Sequence, residues 1–159
     1  MISVLGFSTI AVALALSVYG AVAAVVGVRG RRPELLKSAE TATYVIFALL
    51  TVANLAMIYA LVTHDFSVGY VAQVGSRSTP LFITIISLWS ALEGSILFWG
   101  WVLAGYTAAA VYLHRGRLGT LVPYATAVLL GVGAFFYMLL IGPANPFERV
   151  TDKKLYRRG

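Results

Sequence analysis

The stretch SLWSALEGSILFWGW, residues 87–101, decides how the chain is read. It sets one carboxylate, Glu93, among Trp89, Trp99 and Trp101 in an otherwise apolar run. From Pro80 to Leu113 that apolar character hardly breaks. One helix over this length would measure about 50 Å at roughly 1.5 Å per residue, against about 30 Å of hydrocarbon in a bilayer. The run therefore divides. TPLFITIISLW opens with Thr79 as N-cap and Pro80 at the first helical position, and Thr84 and Ser87 share one face. Those features suit a short helix lying in the membrane interface. A second start follows at Ser90, where Ser90-Ala91-Leu92-Glu93 fits a capping box. In that motif the serine hydroxyl bonds the N3 amide and the glutamate reaches back to the N-cap amide. Glu93 also stands at the positive end of the helix dipole.

Working outward, the 159 residues are 60% hydrophobic and only 11% charged. Soluble domains carry about 25% charged residues. Lipid must replace water around much of this chain, which makes it an integral membrane protein. Four stretches are long enough to span: about Leu5–Val28, Ala42–Val62, Ala91–Leu113 and Leu121–Ile141. None alternates apolar with polar residues, and lipid leaves no partner for free backbone groups, so all four are expected as α-helices. The predicted fold is an all-α membrane protein with four transmembrane helices, a short interfacial helix before the third, and the N-terminus outside.

That orientation comes from the short loops. The first, residues 29–40, carries Arg29, Arg31, Arg32 and Lys37, and the third carries Arg115 and Arg117. The second has only Arg77. Basic loops stay cytoplasmic, so the second loop and both termini are expected outside. The tail breaks the rule, because Arg149, Lys153, Lys154, Arg157 and Arg158 fall on the outer side. Within the second loop, DFSVGYV alternates Phe66, Val68 and Tyr70 with Asp65, Ser67 and Gly69. This period of two indicates an extended segment at the membrane surface or an interfacial aromatic belt.

Two readings of Glu93 remain open and do not exclude each other. It closes the cap of the third span, or it lines a binding surface together with Gly94 and the tryptophans. A cap does not need three tryptophans, and that surplus is informative. Trp89, Ser90, Ala91, Glu93, Gly94, Ser95, Ile96, Leu97 and Trp99 match a W-(G/S)-A-x-E-G-S-(L/I)-L-x-W pattern. Upstream, Asp65, Phe66, Ser67, Val68, Tyr70, Val71 and Ala72 match D-F-(T/S)-V-x-Y-V-A. Downstream, Asn145, Pro146, Phe147 and Arg149 match N-P-F-x-R. In this order and spacing the motifs resemble the CcmF-type subunit of the cytochrome c haem lyase. The related nitrite-reductase haem lyase subunit fits equally well.

The resemblance covers residues 1–150 as a four-span membrane domain like the N-terminal part of the lyase, and leaves 151–159 as a basic tail outside the family pattern. It implies a role in cytochrome c maturation, in which haem passes from a haem chaperone to apocytochrome c on the outer face. It implies haem as cofactor, with ligands outside this stretch, because the family's Trp-rich external domain and haem-ligating histidines lie further on. A truncated, frameshifted or separately encoded N-terminal portion is therefore expected. The implied partners are the remaining spans of the lyase, the haem chaperone, thioredoxin-like and TPR-type maturation subunits, apocytochrome c and membrane lipid, with no nucleic acid. The implied location is the bacterial inner membrane, multi-pass. The residues expected on the haem or partner surface are Trp89, Glu93, Gly94, Ser95, Trp99, Trp101, Asp65, Phe66 and Tyr70.

Catalytic and metal residues are not recognisable in the sequence. Cysteine is absent, which removes disulfides, thiolate metal sites and thiol redox chemistry. His64 and His114 fall at opposite membrane faces and are expected to meet carbonyls at helix C-termini instead of sharing a haem. Asn54 in mid-span is expected to donate a hydrogen bond between helices. The small residues of Gly20–Gly27 and Ala104–Ala110 are expected to let helices approach closely, docking further spans. The alternative function is a small membrane subunit of a proton or cation transporter or respiratory complex that uses Glu93.

Overall fold

A computed structural model describes residues 2–63, 80–86, 92–117, 119–142 and 145–147. The helices are α1 (Ile2–Arg29), α2 (Pro33–Val62), α3 (Leu81–Ile86), α4 (Leu92–Leu113) and α5 (Leu121–Ile141). All but α3 are long and apolar enough to cross a bilayer, and no β-strand occurs among the described residues. The expected four spans are therefore present. Within the long run the described helical stretches are α3 and α4, with Pro80 immediately before α3, and the expected point of division at residues 87–91 lies outside the described residues. Helix α1 packs on α2 and α5, and α4 packs on the same two, so α1 and α4 take opposite corners of a four-helix bundle. Helix α3 lies against α2.

The first loop is much shorter than the sequence suggests. Arg31 takes a left-handed φ of +50°. Arg32 N donates to Gly27 O at 2.9 Å, and Arg31 N donates to Val28 O at 3.4 Å. These are the two bonds of a Schellman closure, which satisfies carbonyls that α1 would otherwise leave bare. Arg32 then extends (φ −104°, ψ 97°), as a residue before proline must. Pro33 opens α2, and Glu34 in its first turn complements the dipole. The expected span at Ala42 measured only the apolar stretch. The helix itself runs for 30 residues, about 45 Å against about 30 Å of hydrocarbon, and its first turns carry Glu34, Lys37 and Glu40.

Small side chains set the closeness of α1 and α2. Gly20, Ala23, Ala24 and Gly27 are buried on α1, facing Ala39 and Ala42 of α2. A methyl on Gly20 would come within 2.8 Å of Leu130 and 3.3 Å of Ala42, and one on Gly27 within 2.9 Å of Leu36. Among Ala104–Ala110, residues Ala104, Thr107 and Ala108 are buried, and Gly105 faces the Phe47 ring. The expected close approach of helices is therefore present at Gly20, Ala23, Ala24, Gly27, Ala104, Thr107 and Ala108, while Ala109 stays exposed beside Gly105 on the outer surface.

Asn54 is also corrected. Its Nδ2 donates at 2.9 Å to Leu50 O, one turn back on its own helix. A carbonyl four residues back lies within reach of any short polar side chain, and here it takes the bond. Thr107 and Thr126 do the same toward Leu103 O and Val122 O. Ser17 does not. Its Oγ is fully buried and has no hydrogen-bond partner among the described residues.

At the end of α5 the N-P-F motif folds back onto the bundle. Asn145 Oδ1 accepts from Phe147 N at 2.9 Å, an Asx turn across Pro146. The turn drives the Phe147 ring against Gly6 of α1, where it is 2% exposed. Even one methyl at position 6 would collide with ring atoms Cδ1, Cε1 and Cζ.

Candidate functional site

The described part of the signature lies in the first half of α4. Glu93 is the second described residue of that helix, and residues 87–91 before it, which carry the expected capping box, lie outside the described residues. The side chain of Glu93, together with Trp89, Asp65, Phe66 and Tyr70, lies outside the described residues, as does His64. Gly94 is buried and Ser95 half-buried.

The two described tryptophans lie two positions apart on a helix and so face different ways. Trp99 is 58% exposed on the bundle's outer surface. Trp101 turns toward α2. Its Nε1 donates to Thr51 Oγ1 at 2.9 Å, while Thr51 donates to Phe47 O at 2.8 Å. The indole stacks on Phe47 with centroids 5.9 Å apart and planes 19° from parallel. Phe98 joins the two tryptophans, 6.0 Å from Trp99 edge-on and 5.9 Å from Trp101. The result is one connected aromatic row, Trp99–Phe98–Trp101–Phe47, running from the outer surface into the α2–α4 seam.

Sequence reasoning missed Phe47, Thr51 and Phe98 as members of this row. The spacing of Phe47 and Thr51, four apart and thus on one helical face, was the available signal. The hydrogen bond between helices that was expected of Asn54 is made by Thr51 and Trp101.

The aromatic row offers flat apolar surface suited to a porphyrin face. It does not offer an iron ligand, because Phe47, Thr51, Gly94, Ser95, Phe98, Trp99 and Trp101 include no His, Cys or Met. His114 sits at the other end of α4, about 30 Å along the helix from Glu93. There its ring Nδ1 lies 2.9 Å from Ala110 O, the C-terminal carbonyl contact expected of it. No metal-binding group of His, Cys, Asp or Glu forms among the described residues.

The basic end of the bundle holds a second polar cluster. Arg115, just beyond α4, places Nε 2.6 Å from Glu40 Oε1 of α2. Tyr44 donates to the same oxygen at 3.0 Å. This cluster ties together the ends of α2 and α4 that carry the basic loops.

Four apolar spans around a close-packed core, with bulky side chains such as Val12, Leu55, Val128 and Phe135 on the outside, define a multi-pass membrane protein. No family profile matches the chain. The cytochrome c-type biogenesis protein CcmF of Pseudomonas aeruginosa is 32% identical over 154 residues, covering 96% of this chain and 23% of that protein. NrfE of Haemophilus influenzae, also a cytochrome c-type biogenesis protein, is 30% identical over 152 residues, covering 94% of this chain and 24% of its own length. Among solved structures, the cytochrome c heme lyase CcmF superposes with a TM-score of 0.86 at 35% identity, over 93% of this chain and 25% of that one. The chain belongs to the CcmF-type cytochrome c biogenesis proteins and spans about a quarter of the length of the relatives it matches. The transporter reading finds no support among these relatives.

Proposed function

We propose that this chain is the four-span platform of a membrane haem lyase acting in cytochrome c maturation. The observation that carries the proposal is the likeness over 93% of the chain, at 35% identity, to a protein named as a cytochrome c heme lyase. The aromatic row supports it. Trp99, exposed at its outer end, presents an indole face that a porphyrin or a partner helix would cover, and Trp101 holds the row to α2. Haem, where bound, supplies the vinyl groups that react with cysteines of apocytochrome c. This chain's share is to position and shield it, and iron ligation falls to residues beyond the described ones.

In this reading the chain sits in the bacterial inner membrane. The end bearing Arg29, Arg31, Arg32, Lys37, Arg115 and Arg117 is cytoplasmic, following the distribution of basic residues. Glu93 and α3 then lie at the outer face, with α3 in the interface. The haem chaperone, the thioredoxin-like and TPR-type subunits and apocytochrome c meet the lyase from that side.

The test is to co-express the chain with the remaining part of a CcmF relative, purify the complex and record its haem absorption and cytochrome c output. Association is expected, and Trp99→Ala is expected to lower both haem retention and cytochrome c yield while the complex still forms. A chain that never associates, or a Trp99→Ala complex with full haem and full output, refutes the proposal.

A further inference from the structure

At the basic end of the bundle the four long helices leave a cavity of about 300 Å³ between them. Its inner wall is apolar, formed by Ala24, Leu36, Val111 and Val122, and its rim carries Glu40 and Arg115. The one side-chain hydroxyl among its described lining residues, Thr126, is committed to Val122 O. The cavity therefore presents one carboxylate and one guanidinium side by side, above a greasy floor.

We infer that this cavity binds the headgroup of a zwitterionic phospholipid, phosphatidylethanolamine, with its phosphate on Arg115 and its ammonium on Glu40. A purely anionic headgroup would gain Arg115 and be repelled by Glu40, and a purely cationic ligand would meet the reverse. A ligand with both charges a few bonds apart satisfies both. Arg115 is 59% exposed and can turn its planar donors outward, while Glu40, 20% exposed, stays anchored by Tyr44. An ammonium donates N–H groups to the carboxylate and a trimethylammonium has none to donate, so ethanolamine is favoured over choline. The cavity opens where α4 ends and the chain leaves the hydrocarbon, which is the level of the headgroups. Its apolar floor takes the start of an acyl chain, which free phosphoethanolamine lacks.

The test is to purify the full chain from vesicles of equimolar phosphatidylethanolamine, phosphatidylglycerol and phosphatidylcholine, and to measure the retained lipid by native mass spectrometry. Phosphatidylethanolamine is expected to be enriched at least about fivefold, the worth of one charge contact near the surface. Glu40→Gln is expected to shift retention toward phosphatidylglycerol. Val122→Phe fills the floor without touching either charge and is expected to abolish the enrichment. Millimolar free phosphoethanolamine is expected to leave the bound lipid in place. Wild-type retention that mirrors the supplied mixture, enrichment that survives Val122→Phe, or displacement by free phosphoethanolamine overturns the inference.

Discussion

The contact between Phe147 and Gly6 predicts a substitution whose effect changes sign with its background. In a helix, Gly→Ala ordinarily stabilises by about 1 kcal/mol, because alanine loses less backbone freedom on ordering. At position 6 the added methyl lands on three ring atoms of Phe147. Overpacking of that kind costs about 1–3 kcal/mol, so Gly6→Ala is expected to destabilise the native chain. Phe147→Ala removes a ring that is 2% exposed, at a cost of about 3–5 kcal/mol. In the Phe147→Ala background the methyl enters vacated space, and Gly6→Ala is then expected to stabilise by up to about 1 kcal/mol. The propensity gain is common to both backgrounds, so the coupling between the two sites equals the overpacking cost, about 1–3 kcal/mol. Equilibrium unfolding of the four variants in mixed detergent micelles, followed by far-ultraviolet circular dichroism, measures it. An equal effect of Gly6→Ala in both backgrounds refutes the packing of the N-P-F turn on α1.

Three further outcomes follow from other contacts. Ser17→Ala removes a buried hydroxyl that has no partner among the described residues and is expected to stabilise the bundle by about 1 kcal/mol, read by the same unfolding assay. A double-mutant cycle of Thr51→Val and Trp101→Phe should return a coupling of about 0.6 kcal/mol, with a ceiling near about 1.7 kcal/mol. A coupling of zero denies the bond between α2 and α4. Arg31→Gly relieves a side chain held at φ +50° and is expected to raise the unfolding midpoint, by about 0.5–1 kcal/mol after the added freedom of the unfolded chain is subtracted. A loss of stability there denies the Schellman closure.

The spans were legible because a bilayer imposes a length and a composition that few other environments demand. The division expected of the Pro80–Leu113 run rests on length arithmetic alone, and its junction at residues 87–91 lies outside the described residues. The start of α2 was not legible. Lys37, Ser38, Glu40 and Thr41 look like loop when only apolarity is counted, yet polar side chains continue a helix well once it projects into water. Hydrogen-bond partners were poorly legible for a different reason. A buried Asn or Thr on a helix always has its own i−4 carbonyl within reach, so composition cannot say whether it looks inward or across. Asn54 stayed on its own helix, while Thr51 bonds its own helix and also accepts from Trp101. The fold-back of Phe147 was invisible for want of periodicity, since an Asx turn is three residues long and its target, Gly6, is far away in the chain. The motif that marked the family there turns out to be a fastening between the ends of α1 and α5.

The turn between α1 and α2 also bears on how the protein is made. Its closing hydrogen bonds, its proline and the facing glycines and alanines all lie ahead of α4 and α5 in the chain and are translated before them. Few residues separate the partners, so the entropy lost in joining them is small. Helices α1 and α2 can thus enter the bilayer as a pre-zipped pair, already sealed along their shared seam before α4 and α5 are translated. Later segments then assemble onto a finished template, and errors in their arrival leave that first pair intact.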